Sequence, residues 1–292
     1  MKRLINFSFF LLKLLPFPVY YFIADCLFFL IYYVIRYRRS IVRKNITRAF
    51  PTKNLESVKS IEKSFYLHLA DYMVESVAMA RMTESDFLKH FRYINLELFD
   101  TFLKQGKNVL LVTGHYGNWE WMGGLTLFSK NLIYAVYKEQ SNRFINSAML
   151  YSREKFGMHL LPYPRLYKEI LSLAPEQRVG VLILADQRPT KDNKGQWIEF
   201  MNQQVTYFRG LENLHKVMKG VVLYTQVLKT SRGNYTVEFI PLTPNPPEEN
   251  SGDWLTKKYF KALEENIRID PAYYLWSHNR WKFVKPPESS MH

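Results

Sequence analysis

The spacing of apolar positions changes near residue 108 and divides the chain into a helical part and an α/β part. From Asn54 to Arg81, apolar residues recur every three to four positions, which predicts one long helix. Beyond it, short β-rich runs alternate with helical segments. The predicted strands are Val109–Thr113, Leu132–Tyr137, Val179–Leu184, Val221–Leu228 and Tyr235–Leu242. The predicted helices are Trp119–Ser129, Ser141–Phe156, Arg165–Leu173, Leu211–Lys219 and Trp254–Ile267.

This alternation predicts an α/β fold with a mainly parallel central sheet flanked by helices. The last two strands could instead pair as a hairpin, with Arg232-Gly-Asn as its turn. We expect three regions along the chain. Residues 1–35 form an N-terminal helical membrane anchor, residues 36–107 are helical and basic, and residues 108–292 form an α/β core, the last two regions together making one domain.

The first 35 residues are largely apolar and predict a retained anchor. A basic N-terminus followed by the apolar run Leu4–Leu15 resembles a signal peptide, but no small-residue cleavage site follows it. A helix over residues 19–35 would be roughly 26 Å long, just short of the ~30 Å hydrocarbon core. Because Pro16, Pro18 and Asp25 interrupt the apolar pattern, we expect a monotopic or hairpin-like anchor; a buried helical hairpin is the alternative.

Charge and composition indicate which kind of molecule this protein binds. The formal net charge is +14, and residues 36–48 carry six cations and no acid directly after the apolar run. A basic cluster beside an anchor is typical of the cytoplasmic face of the inner membrane, with anionic lipids as partners. Nucleic acid is the alternative, but no recognition motif for it is readable. The single cysteine, Cys26, excludes an internal disulfide and a cysteine-based zinc site, and 47% hydrophobic residues argue against disorder.

The stretch from Leu110 to Trp121 carries the candidate chemistry, because an apolar strand ends there in a glycine-rich turn. Active sites of α/β folds lie at the carboxyl ends of strands. On one continuous helix, His115 and Glu120 would point about 140° apart. If a helix instead starts with Asn118 as its N-cap, Glu120 can hold one nitrogen of the His115 imidazole while the other takes a proton from a hydroxyl. The alternative is a core histidine beside a capping glutamate.

Five segments, in this order along most of the chain, resemble one known family. They are Arg38–Pro51, His115–Glu120, Tyr137–Asn142 together with Arg153–Gly157, Ala185–Arg188, and Tyr274–Lys282. They are similar to conserved segments of the bacterial lipid A biosynthesis acyltransferases, whose motif is His-x4-Asp/Glu. Five ordered matches are far more specific than the histidine motif alone.

The resemblance implies a reaction and a site. His115 would deprotonate a hydroxyl of the acceptor lipid, and Glu120 would orient the ring and offset its charge. The oxygen would attack an acyl carrier protein or coenzyme A thioester directly, which agrees with the absence of a Gly-x-Ser-x-Gly motif. Backbone N–H groups near Gly117–Trp119, or Arg153, would stabilise the oxyanion. The acceptor would be a phosphorylated lipid A precursor, and neither a cofactor nor a metal is implied.

Four residues complete the predicted site as substrate-binding groups: Arg153, Asp186, Lys138 and Asn118. Arg153 and Lys138 could bind phosphate of the acceptor, and Asp186, at a strand end, could position a polar group. The alternatives are a solvated helix face for Arg153 and a turn or cap role for Asp186. His278 could join the site, but packing of the C-terminal segment is the favoured interpretation.

One departure from the family pattern leaves the acceptor open. Residues 200–210 align only loosely with the glycine- and proline-containing segment of typical members. Another glycolipid, a phospholipid or an aminolipid is therefore the alternative acceptor. A non-catalytic membrane scaffold is the alternative of a different class, and it predicts that replacing His115 changes nothing.

Overall fold

The structure is a computed structural model that describes residues 16–174, 176–187, 196–207, 210–242 and 252–282. The expectations for the run Leu4–Leu15, for Arg188 and for residues 208–209 lie outside the described residues.

A mostly parallel sheet carries the fold. The strands are β1 Phe91–Ile94, β2 Val109–Thr113, β3 Ile133–Tyr137, β4 His159–Pro162, β5 Gly180–Leu184, β6 Trp197–Phe200, β7 Gln203–Thr206, β8 Val221–Ser231 and β9 Asn234–Pro241. Seven of them form one sheet in the order β1-β9-β8-β2-β5-β3-β4, and β6 pairs with β7 separately. In the seven-stranded sheet only β8 and β9 are antiparallel, as the predicted hairpin at residues 232–234 requires. The predicted α/β class is confirmed.

Helices cover both faces of this sheet. They are α1 Phe17–Phe29, α2 Arg39–Ala49, α3 Leu55–Met79, α4 Glu84–His90, α5 Leu96–Lys104, α6 Arg143–Glu154, α7 Leu166–Leu171, α8 Gly210–Met218 and α9 Trp254–Ile269. Short 3-10 helices occupy Trp119–Leu127, Tyr163–Arg165 and Pro271–Tyr273, and a π-helical turn, Leu30–Val34, extends α1. The long predicted helix over 54–81 is α3, with Asn54 accepting a capping hydrogen bond from the Ser57 backbone N–H.

The central strand β2 is buried on both faces, and its side chains alternate between two cores. Leu110 and Val112 join a core built with α3, α8, α9 and the N-terminal helices. Val109 and Leu111 join a second core on the opposite face, which includes Phe99 of α5. This two-sided burial explains why β2 reads as a continuous apolar run rather than an alternating one.

The N-terminal apolar helix has one buried face and one exposed face. Tyr20 and Ala24 of α1 are buried, and α1 packs against α3. Phe22, Phe29 and Val34 are among the most exposed large apolar side chains. The 18 residues from Phe17 to Val34 are long and apolar enough to cross a membrane, and 22% of them are buried. Pro18 falls in the first turn of α1, where its missing N–H costs nothing.

Candidate active site

The register between β2 and β5 brings together two residues that lie 71 positions apart in the chain. Thr113 of β2 pairs with Leu184 of β5. His115 and Asp186 each follow two residues later, so both emerge at the carboxyl edge of the sheet. The Nδ1 atom of His115 lies 2.6 Å from Oδ1 of Asp186, and the backbone N–H of His115 donates to Oδ2 at 3.1 Å. Asp186 therefore fixes both the ring and the backbone of His115.

The electrostatics of this pair determine which nitrogen of His115 can act as a base. Asp186 is 2% exposed; burial opposes its charge, yet the hydrogen bonds and charge of His115 hold the pKa of Asp186 below its ordinary value. An ionised Asp186 accepts a proton-bearing Nδ1, which leaves the lone pair on Nε2. The side-chain amide of Gln187 lies 3.1 Å from Nε2 and can donate to it. With 12% of its side chain exposed, His115 can meet a substrate through Nε2.

The sequence analysis predicted that Glu120 contacts the His115 ring, but in the structure the residue in contact with the ring is Asp186. Glu120 stands in the first turn of the 3-10 helix, as expected, but both of its oxygens face Arg153 of α6. Arg153 donates from Nε and Nη2 at 2.6 Å each. Tyr72 of α3 donates a third hydrogen bond to Glu120 at 3.3 Å. Burial opposes the charge of Glu120, but Arg153 and these hydrogen bonds keep its pKa below the ordinary value.

The turn between His115 and Glu120 is held from several sides. Gly117 has φ of +61°, and a Cβ there would lie 2.9 Å from Val227, so both the conformation and the space require glycine. Its N–H donates to the carbonyl of Tyr273 at 3.0 Å. Asn118 is the N-cap residue, as predicted, but its side chain makes no capping hydrogen bond. Instead it is buried and donates to Glu75 of α3 at 2.8 Å.

The remaining sequence-predicted residues occupy different positions around the same edge. Lys138 is exposed and directly follows β3, a parallel neighbour of β5, so it stands at the same carboxyl edge as His115. His278 lies close enough for its charge to lower the pKa of Asp186. The structure therefore joins His115 with Asp186 and Glu120 with Arg153, while Asn118 faces the interior.

The comparisons with known proteins decide the family. A sequence model described as bacterial lipid A biosynthesis acyltransferase matches residues 2–283, nearly the whole chain. The chain belongs to this family. Two relatives are each 22% identical over 280 residues, covering 95% of this chain and 90% of their own: the lipid A biosynthesis palmitoleoyltransferase of Escherichia coli (strain K12) and a lipid A biosynthesis acyltransferase of Shigella flexneri. Membership confirms the resemblance and indicates acyltransferase activity toward a lipid A-type glycolipid.

Sequence reasoning missed three residues on α3 that contact the candidate active site. His68 contacts the carbonyl of Gly117 at 3.3 Å, Tyr72 bonds Glu120, and Glu75 bonds Asn118. Their spacing of three to four residues places them on one face of the helix. A polar stripe within an otherwise apolar helix face was the signal that could have revealed them, because buried polar side chains require partners.

Proposed function

We propose that this protein transfers a fatty acyl chain from acyl carrier protein to a hydroxyl of a lipid A precursor, with His115 as the general base. The observation that carries the proposal is the Asp186–His115 hydrogen bond, which keeps the proton on Nδ1 and leaves the lone pair on Nε2 of a partly exposed ring. A buried carboxylate behind a partly exposed imidazole is the arrangement that removes a proton from a hydroxyl.

The steps follow from that geometry. Nε2 takes the proton of the acceptor hydroxyl, and the oxygen attacks the thioester carbonyl carbon. Asp186 stabilises the imidazolium while the negative charge collects on the carbonyl oxygen. When the C–S bond breaks, the imidazolium returns the proton to the leaving thiolate, so that an ester and a free thiol remain. No covalent acyl-enzyme is needed, and His115 is ready for the next cycle.

Arg153 is the group that we assign to a substrate anion. Its Nε and Nη2 are fixed by Glu120, and in the described part of the chain its Nη1 makes no hydrogen bond. A guanidinium held on one edge presents its remaining donors in a fixed direction. Arg153 thus offers a positioned donor to the oxyanion or to a phosphate of the acceptor. Glu120 acts by orienting Arg153 and, through its charge near His115, by offsetting the imidazolium.

The α2 helix supports association with the anionic cytoplasmic face of the inner membrane. Glu62 of α3, which is fully buried, accepts hydrogen bonds from Arg39 at 2.9 Å and Arg43 at 2.7 Å. These guanidinium groups line one groove with Lys44 and Arg48, and Arg39 also stacks on the ring of Tyr32 in the π-helical turn that extends α1. Lys44→Glu with Arg48→Glu should weaken binding to anionic vesicles, measured by sedimentation, at least about tenfold, because each basic residue near the surface contributes about 1 kcal/mol. The matched change Lys104→Glu with Lys107→Glu, on exposed positions elsewhere, should leave it unchanged; equal losses would contradict the assignment.

The experiment for the reaction uses the full chain in detergent with lauroyl-, myristoyl- or palmitoleoyl-acyl carrier protein and a phosphorylated, under-acylated lipid A precursor. Mass spectrometry should find one added acyl chain, which is lost with His115→Ala. Transfer by His115→Ala at the wild-type rate would overturn the assignment of the base. If the precursor is not acylated but a total membrane-lipid extract is, a different lipid is the acceptor. Coenzyme A thioesters in parallel reactions identify the donor.

A further inference from the structure

A buried carboxylate that the proposed mechanism does not use contacts the turn between His115 and Glu120, which we call the catalytic turn. Glu75 of α3 is 1% exposed. Its Oε2 accepts hydrogen bonds from Asn118 Nδ2 at 2.8 Å and from the Tyr235 hydroxyl at 2.7 Å. Its Oε1 accepts from the Tyr21 hydroxyl of α1 at 3.2 Å. Glu75 is thus bonded to the N-terminal helix, to the sheet and to the catalytic turn.

Two of its contacts lie on either side of Glu120. Asn118 precedes Glu120, and the indole N–H of Trp121, which follows it, donates to the Glu75 backbone carbonyl at 3.1 Å. The bond to Glu75 is the only hydrogen bond of the Asn118 side chain in the part of the chain that the structure describes, since its Oδ1 has no partner. The side chain of Asn118 therefore has one polar restraint, and Glu75 supplies it.

A second α3 side chain restrains the same turn. His68 is buried and contacts the carbonyl of Gly117 through Nε2 at 3.3 Å, while its Nδ1 lies 3.5 Å from Nζ of Lys229. Burial, with the nearby Lys229 charge, lowers the pKa of His68 to about 3, so the ring is neutral and Nε2 carries the proton. Lys229 in turn forms an ion pair with Asp71 at 3.0 Å. The turn is thus contacted by a neutral His68, and the charge of the neighbouring Lys229 is balanced by Asp71.

We propose that Glu75 is a positioning residue for acyl transfer. Through Asn118 and Trp121 it fixes the path of the chain from His115 to Glu120, and so the distance between the proton-accepting Nε2 and the Arg153 donor. Through Tyr21 it also makes the docking of α1 part of that geometry. The inference rests on the proposed function.

The expected effect follows from the hydrogen-bonding groups. Glu75→Gln keeps the size of the side chain but removes its charge and one of its two acceptor oxygens, so the donors Asn118, Tyr235 and Tyr21 are left with one uncharged acceptor oxygen in place of a carboxylate. A displacement of the turn by about 1 Å costs on the order of a hundredfold in rate. We expect kcat to fall about tenfold to a hundredfold, while KM for both substrates changes less than about threefold. Asn118→Leu removes the same bond from the other side and should give a similar loss.

The test compares these variants with Glu212→Gln. Glu212 is also buried and accepts a hydrogen bond from the Thr256 N–H at 2.9 Å, joining α8 to α9 away from the turn. Glu212→Gln keeps an oxygen for the Thr256 N–H and should not lose kcat. The double variant of Glu75 and Asn118 should lose no more than the larger single loss, because both changes break one bond. Fully additive losses, or equal kcat for Glu75→Gln and Glu212→Gln, would overturn the proposal.

A measurement without substrate separates this inference from the reaction itself. Hydrogen exchange of the amides of residues 114–121 should be faster in Glu75→Gln than in wild type and unchanged in Glu212→Gln. Tyr21→Phe, which removes one of three donors to Glu75, should give a smaller increase at the same amides. If wild type acylates no acceptor, the proposed function fails while this exchange pattern still decides the role of Glu75. Unchanged exchange at the turn in Glu75→Gln would contradict a positioning role for Glu75.

Discussion

Replacing Asp186 with asparagine tests the His115–Asp186 pair with almost no change in volume. The two oxygens of Asp186 accept two different N–H groups, the His115 backbone at 3.1 Å and the His115 ring at 2.6 Å. An asparagine has only one oxygen for these two donors. If that oxygen keeps the backbone N–H, the amide nitrogen faces Nδ1, and the imidazole must carry its proton on Nε2. Nε2 is then unable to accept a proton from the acceptor hydroxyl.

The magnitude follows from the loss of both the correct tautomer and the charge that stabilises the imidazolium. For a buried carboxylate behind a catalytic histidine, this change lowers kcat by on the order of 10³ to 10⁴-fold. That is about 4 to 5.5 kcal/mol of transition-state stabilisation, at ~1.4 kcal/mol for each factor of ten. Because both oxygens of Asp186 are bonded to His115, we expect KM for either substrate to change little.

The assay measures initial rates of acyl transfer to the lipid acceptor by mass spectrometry, with Asp186→Asn beside wild type at equal folded fraction. Circular dichroism and the unfolding temperature establish that the variant is folded. Gln187→Ala is the matched control, because it removes a contact to Nε2 and leaves the Nδ1 bond intact. A loss of less than about tenfold in Asp186→Asn, or an equal loss in Gln187→Ala, would contradict the role assigned to Asp186.

Three further predictions concern the same edge of the sheet. Arg153→Lys replaces the two-nitrogen contact with Glu120 by a single ammonium nitrogen and removes the Nη1 donor, so kcat should fall at least about tenfold in the transfer assay; an unchanged kcat would contradict the assignment of Arg153. Gly117→Ala places a Cβ at a residue with positive φ and 2.9 Å from Val227, so the free energy of unfolding in urea should fall by about 1–3 kcal/mol. An unchanged free energy of unfolding would show that the turn adjusts. The pKa of Asp186 is lower in the folded protein than its value of about 3.9 in the unfolded chain, so the ionised carboxylate stabilises the fold above that pH and this stabilisation is lost as pH falls through the folded pKa. The difference in unfolding free energy between wild type and Asp186→Asn should therefore become smaller in acid, and a difference that does not change with pH would contradict this.

The sheet was predictable because its central strands are long apolar runs. The five predicted strands, such as Val109–Thr113, all occur with shifts of no more than three residues at their ends. The strands at the two edges, β1 and β4, were missed because four residues are too few to show a period. The Trp119–Leu127 segment was expected as an ordinary helix and is a 3-10 helix.

The members of the candidate site were easier to predict than their contacts: the sequence analysis named Asp186 and Arg153 as substrate-binding groups, and neither as the partner that the structure gives it. The position of His115 at a strand end followed from its local sequence. Its partner did not, because Asp186 meets His115 through the register of β2 and β5, and no spacing in the sequence encodes which strands are adjacent. The same holds for Arg153 and Glu75, which come from α6 and α3. The order of strands in the sheet was the missing information.

The α3 helix also sets a length. It runs for 25 residues without glycine or proline, so it behaves as a stiff rod. Glu62 on this rod holds the basic α2 helix, and Glu75 holds the catalytic turn; at 1.5 Å per residue, the two carboxylates stand about 20 Å apart along the axis. If α2 rests on an anionic surface, as we propose, the reacting hydroxyl has to reach a site that α3 holds at a fixed distance from that contact. This fixed distance would then limit which hydroxyl of a surface-bound acceptor can reach His115, in addition to the contacts that bind the acceptor.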